Sequence, residues 1–249
     1  MSIRLEICVA SAEDCAVSEK AGADRVELNS ALMLGGLTPS LGTVREARTI
    51  ARLPIIGMIR PRGGGFCYSA AEFNAMQRDT ELFLAEGLAG IAFGILTPEG
   101  AIDIARSKRI VQLAAGRDVV FHRAFDVTPD PISALDQLID MGVTRVMTSG
   151  QEASAYNGAE NIAKYIKHAA GRIGILPAGG INRFTVADVL ARTGCKEIHA
   201  SLSTVTRDTS VKARPQVFFG GVLRPPEDEV TGTDARAVAS LKAALGERD

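Results

Sequence analysis

A short apolar run of strand character followed by a helical stretch recurs about eight times along this chain. The runs span 5–9, 25–28, 54–60, 90–96, 119–122, 145–148, 172–178 and 197–200 and are rich in Ile and Val. Each gives way to polar or glycine residues, among them Ser11, Asn29, Arg60, Thr97, Arg123, Ser149, Gly179, Gly180 and Ser201. Alternating strands and helices force a parallel sheet, because every strand is re-entered from the same end through a crossover that then covers the sheet. Eight such units in 249 residues predict a closed (β/α)8 TIM barrel. Active sites in that fold gather where the strands end, so these polar residues outline the candidate site.

The chain reads as one domain, 1–249, a length that α/β barrels commonly reach as a single unit. Hydrophobic residues make up 46%, enough for a large core. Lys and Arg number 28 against 29 Asp and Glu, so no basic face is offered to nucleic acid or acidic lipid. The first residues reach Glu13 and Asp14 without a long apolar stretch, which is not the pattern of a signal peptide. No run approaches the roughly 18 apolar residues of a membrane helix. Four scattered cysteines without CxxC spacing suit reduced thiols in a cytoplasmic protein.

Helix starts are legible as caps. Ser11 with Asp14, and Ser69 with Glu72, have capping-box form and predict helices ending at Gly22 and near Glu86. Ser40 opens a second helix, Gly158 precedes another, and the last is expected over about 234–245. Residues 203–233 read as a long irregular segment, either a flap near the mouth or an oligomer contact.

Period-two alternation assigns faces within the strands. Leu5, Ile7 and Val9 share one side of the first strand, which turns Glu6 and Cys8 to the other. The same rule turns Arg25, Glu27 and Asn29 toward the barrel axis, with Arg60, His122, His199 and Ser201 inward or over their strand ends. Barrel interiors ordinarily carry bulky aliphatic residues, and an unpaired buried charge costs several kcal/mol. Two explanations are open. The charges form a self-neutralising network of Glu6 and Glu27 with Arg60 and the histidines, or they floor a polar pocket walled by Arg60, Arg62, His122, Arg123 and Asp126.

Two loops favour a small anionic ligand. Residues 59–69 combine Arg60 and Arg62 with three successive glycines, whose bare backbone can approach a ligand closely. Gly179 and Gly180 follow the seventh strand, where barrel enzymes often hold phosphate on backbone amides. No GxGxxG or P-loop signals a nucleotide cofactor.

The motifs 5–8 (LEIC), 22–28 (GADRVEL), 35–40 (GGLTPS), 59–64 (IRPRGG), 121–126 (FHRAFD), 148–151 (TSGQ) and 197–201 (EIHAS) closely resemble the CutC family in order and spacing. The resemblance implies a cytosolic TIM barrel associated with copper homeostasis. It also implies a Cu(I) site built on Cys8 and a second cysteine just after the Val-Glu-Leu motif. Here that second position is Asn29, a hard amide donor, and Cys67 is the alternative soft partner. The rival expectation is an isomerase, lyase or hydrolase acting on a small anionic or sugar-like substrate. In it Glu6, Glu27 and His122 are catalytic, while Arg60, Arg62, Arg123, Asp126, Gly179, Gly180, His199 and Ser201 bind substrate. A variant places a divalent ion on the carboxylates and a histidine.

Overall fold

The computed structural model describes residues 3–220 and 225–246. Eight short strands are parallel: β1 (Arg4–Val9), β2 (Arg25–Leu28), β3 (Ile55–Met58) and β4 (Gly90–Phe93), then β5 (Asp118–Phe121), β6 (Arg145–Thr148), β7 (Gly174–Pro177) and β8 (Glu197–Ala200). Their ladder runs β7-β6-β5-β4-β3-β2-β1-β8, and β7 lies against β8, so the sheet curls into a (β/α)8 barrel. Seven helices follow the first seven strands in turn: α1 (Ala12–Lys20), α2 (Leu41–Ile50), α3 (Ala70–Ala85), α4 (Ile104–Ala114), α5 (Pro131–Met141), α6 (Ala159–Ala169) and α7 (Val186–Thr193). The last helix, α8 (Ala235–Gly246), packs against α7 and α1.

Local chemistry sets these boundaries. The Ser11 hydroxyl accepts from the Asp14 amide, and Ser69 and Glu72 close a complete capping box at the start of α3. Three strands are shorter than the apolar runs that announced them: 54–60, 90–96 and 172–178 pair only over Ile55–Met58, Gly90–Phe93 and Gly174–Pro177. Segment 203–233 differs from its irregular reading. It holds β9 (Ser203–Arg207) and β10 (Glu229–Thr233), paired antiparallel. Both are exposed and without an apolar face, which is why hydrophobic patterning missed them. The hairpin is tied to the barrel wall where the Thr233 amide donates to Asp14 Oδ1 at 2.6 Å. Residues 221–224 of this segment lie outside the described residues.

Strand alternation divides the barrel interior into two unlike arcs. From β3 to β7 the inward residues are mostly apolar, with Ile56, Met58, Ala92, Val120, Met147, Leu176 and Ala178 forming a separate inner core, and with the buried Arg145 paired to Asp118 where β5 and β6 begin. Across β8, β1 and β2 they are polar: Glu197 and His199, Glu6 and Cys8, Arg25 and Glu27. The outward residues of these three strands, Leu5, Ile7, Val26, Leu28 and Ile198, belong to the large core under the helices. Arg25 holds the polar arc together. Its guanidinium is buried and donates to Glu6, with a second bond to Glu197 Oε2 at 3.0 Å.

Removing one partner of a buried ion pair strands the other charge, at a cost of about 3–5 kcal/mol. Arg25→Met is therefore expected to lower unfolding stability at neutral pH by about that amount in urea titrations. Adding Glu6→Gln should recover part of the loss, because the stranded carboxylate is gone. Strictly additive losses in the double variant would show that the pair is not the unit holding this arc.

Candidate functional site

The C-terminal ends of the strands enclose a cavity of about 230 Å³ whose walls include Cys8, Glu27, Arg60, His122, Arg123, His199 and Ser201. Glu6 lies one step deeper, beneath His199. It is 1% exposed, and its Oε1 meets His199 Nδ1 at 2.8 Å. Of the expected network of Glu6 and Glu27 with Arg60 and the histidines, the Glu6–His199 pair is present, but the arginine that meets Glu6 is Arg25 and not Arg60. The remaining face of the His199 imidazole bonds Cys8. Asn29 Nδ2 donates to Glu27 Oε2 at 2.9 Å and to Cys8 Sγ at 3.4 Å, so it ties the floor together at the position expected to bind metal.

Four polar groups in this floor and wall are buried without a hydrogen-bond partner: Glu27 Oε1, Asn29 Oδ1, Arg60 Nε and His122 Nε2. Buried polar atoms are ordinarily paired, so such a cluster beside a cavity marks a place where a ligand completes the bonding. His122 is fixed by its own turn, since Nδ1 accepts from the Ala124 amide at 3.1 Å. That bond leaves Nε2 carrying the proton of a neutral ring, a donor aimed at the cavity. Gly94 makes room for the ring; a Cβ there would come within 2.4 Å of His122 Cε1. Phe66 packs on the imidazole with ring centroids 5.0 Å apart, and the Arg60 guanidinium stacks 5.2 Å from the Phe66 centroid.

Burial and then the Arg60 charge push the His122 pKa down to about 3. Burial pushes Glu27 up, and the Glu6 charge adds to the shift against the opposing His199. Burial would also raise Glu6, but the His199 hydrogen bond and the Arg25 charge outweigh it and hold the carboxyl below its usual range. Burial opposes the His199 cation, yet Cys8, Glu6 and Glu27 together raise its pKa well above the ordinary value. Cys8 is pushed up, chiefly by burial, and stays a thiol. The two glutamates thus differ: Glu6 is an anchored anion and Glu27 a carboxyl that holds its proton more readily.

The arginines divide by role. Arg60 spends its terminal nitrogens on the Leu34, Gly36 and Gly64 carbonyls at 2.8–3.0 Å, clipping two mouth loops together. Arg62 lies outside the cavity walls, bonded to Glu72 and to the carbonyls of Gly63, Gly65 and Cys67. Arg123 remains at the rim, its side chain 44% exposed, held by Asp126 Oδ2 and Ser149 Oγ at 2.8 Å. Asp126 accepts from the Ser149 and Gln151 amides and acts as the hub of that loop. Gly179 and Gly180, at φ +96° and +72°, turn the chain beside Ser149 and Ser154 and are not among the cavity walls. Sequence reasoning did not select Met58, Phe66 or Met147, which complete the walls, because apolar residues there look like ordinary core. A larger cavity of about 760 Å³ opens at the opposite end, near Arg4, Ile173 and Glu197, away from the strand ends where barrel active sites gather.

This geometry defines a TIM barrel with a pocket at its mouth that titratable side chains line. The chain belongs to the CutC family, whose model matches residues 3–204. A CutC protein of Treponema denticola is 49% identical over 235 residues, covering 94% of this chain and 96% of its own length. The human copper homeostasis protein cutC homolog is 39% identical over 240 residues, 96% of this chain and 88% of that one. The crystal structure of CutC from Streptococcus agalactiae superposes with a TM-score of 0.75 at 32% identity, covering 79% of this chain and 97% of that one. Phosphoribosylanthranilate isomerase of Thermotoga maritima, at 13% identity and a TM-score of 0.59, shares the fold. Among the described residues no helix is long and apolar enough to cross a membrane.

The folded His122 ring takes a proton only near pH 3, the unfolded one near 6.5, so stability falls as pH falls through that window. Nitrogen NMR of the ring is expected to show the neutral Nε2–H tautomer throughout about pH 5–8, the range in which an ordinary histidine titrates. A midpoint near the ordinary histidine value would show that the pocket does not hold this ring neutral.

Proposed function

We propose that this protein is a barrel enzyme of the isomerase or lyase type, moving a proton on a small, negatively charged hydroxy-carbonyl compound. The single observation carrying this reading is the pair of unpartnered groups facing one cavity, Glu27 Oε1 and His122 Nε2. The Glu27 carboxylate accepts a proton from the carbon beside the carbonyl. The electron pair moves to the carbonyl oxygen, which His122 Nε2–H meets as a neutral hydrogen-bond donor; that oxygen takes up the proton of the neighbouring hydroxyl, and Glu27 returns its own proton at the former carbonyl carbon. A base with an upward-shifted pKa is suited to this exchange near neutral pH. Arg123 draws the anionic group to the rim, and Glu6 with Arg25 keeps His199 charged in the cavity wall. The small cavity limits the substrate to a few carbons. Thiols outside any disulfide at Cys8, Cys15 and Cys67 suit the reducing cytoplasm.

The test is hydrogen exchange. Small phosphorylated and carboxylated sugars and keto acids are incubated with the protein in D2O, with proton NMR following loss of C–H signal beside the carbonyl. Exchange with at least one compound is expected, falling about 10²–10⁴-fold in Glu27→Gln, the range for loss of a general base. No exchange across the panel, or exchange unaltered by Glu27→Gln, would remove the acid–base reading.

A second reading, copper carriage, is favoured by the soft sulfurs of Cys8, Met58 and Met147 around the same cavity. Asn29 does not fit a two-thiolate Cu(I) site, because its amide donates to Cys8 rather than offering a second sulfur. Asn29→Cys should therefore bind Cu(I) more than tenfold tighter in a chelator competition. Equal affinities would show that Cys8 already has a soft partner, and would point to the thioethers.

A further inference from the structure

We propose that Cys8, Glu27 and His199 form a site for a borderline divalent cation of the Zn2+ type, and that the bound ion excludes proton transfer in the same pocket. The Cys8 sulfur, a Glu27 carboxylate oxygen and a His199 ring nitrogen all lie within 4.8 Å of one another. Ligands on a tetrahedral zinc stand roughly 3.5 Å apart, so small side-chain rotations close the set. One sulfur, one nitrogen and one oxygen is a donor mixture that Zn2+ accepts, whereas Cu(I) selects softer partners.

Independent features of the site point the same way. Glu27 is 3% exposed, yet its Oε1 has no hydrogen-bond partner, so an acceptor is held ready in the floor. Glu6 Oε1 engages His199 Nδ1 at 2.8 Å, and the contact of the ring with Cys8 is the one that an ion between the two would replace. A carboxylate behind a histidine is the usual support of a zinc ligand, fixing both tautomer and ring orientation. The three ligands also stand on three hydrogen-bonded strands. Cys8 is in register with Glu27 across β1 and β2, and Glu6 with His199 across β1 and β8. Rigid strands set such a constellation more accurately than loops do. The cavity beyond offers a fourth position to water or a small anion, facing His122 and Arg123.

Coordination has a chemical consequence. The Cys8 thiol and the His199 ring give up their protons to solvent, and the lone pairs of the Glu27 carboxylate and His199 bind the ion. Glu27 then has no free oxygen with which to take a proton from carbon. This exclusion rests on the proton-transfer reading; the cation site itself does not.

Chelator-treated protein, kept reduced and free of oxygen, is titrated with Co2+ and then Zn2+. One equivalent of Co2+ should produce a thiolate-to-cobalt charge-transfer band that Zn2+ abolishes by displacement. Cys8→Ser should lose the band, and Glu27→Gln should weaken Zn2+ binding at least tenfold by calorimetry, with circular dichroism melts confirming that both variants fold. Absent Zn2+ binding, or binding unchanged in both variants, overturns the site. With the site established, stoichiometric Zn2+ should stop the deuterium exchange seen in metal-free protein, and exchange continuing in the zinc-loaded protein overturns the exclusion. The metal titration needs no substrate, so failure of the cation site and failure of the proton-transfer reading are told apart.

Discussion

The arrangement of this barrel depends on one buried guanidinium. Arg25 lies between Glu6 and Glu197, on the arc of the interior where β2, β1 and β8 run side by side. Without it, two carboxylates would face a low-dielectric interior unmatched, and each uncompensated ion would cost several kcal/mol. With it, Glu6 stays charged and in turn holds His199 as a cation in the cavity wall directly above it. The ion pair therefore does two things: it makes a polar half-core tolerable and it sets the charge state of the groups above it. The other half of the interior, from Ile56 round to Ala178, is mostly apolar apart from the Arg145–Asp118 pair, and supplies the packing that the polar arc lacks.

From that floor upward the site is built by exclusion of water and by choice of partner. Glu6 and Glu27 sit on neighbouring strands, yet their environments differ. Glu6 receives a guanidinium and an imidazole, whereas Glu27 receives only the Asn29 amide on one oxygen. His122 and His199 separate in the same way. One accepts from a backbone amide beside Arg60 and stays neutral; the other faces carboxylates and is charged. Two titratable pairs, each split by surroundings, are the usual signature of assigned acid and base roles.

The mouth loops are held by arginines whose terminal nitrogens bond backbone carbonyls, while Arg60 keeps an unpaired Nε in the cavity wall. Arg60 clips the loops after β2 and β3 together, and Arg62 folds the glycine-rich turn around itself. Both looked like anion ligands because guanidinium groups beside glycines commonly are. A carbonyl competes for the same donors, and which wins is decided by where the loop closes. Arg123 differs because Asp126 and Ser149 position it while leaving much of it in solvent at the rim.

The sequence by itself determined the barrel, since eight strand–helix units admit few topologies, and period-two alternation turned Glu6, Cys8, Glu27, His122 and His199 inward. It also determined the caps at Ser11 and Ser69, because capping is a contact over three residues. Tertiary structure decided the partners. That Glu6 meets Arg25 and His199 rather than Arg60 depends on strand register across 19 and 193 residues of chain, which no local pattern encodes. The β9–β10 hairpin was likewise settled only by pairing, because its exposed strands bury no face that could leave a hydrophobic period. Short-range geometry is written in neighbouring residues, whereas the match of one buried charge to another is fixed only when the ring of strands closes.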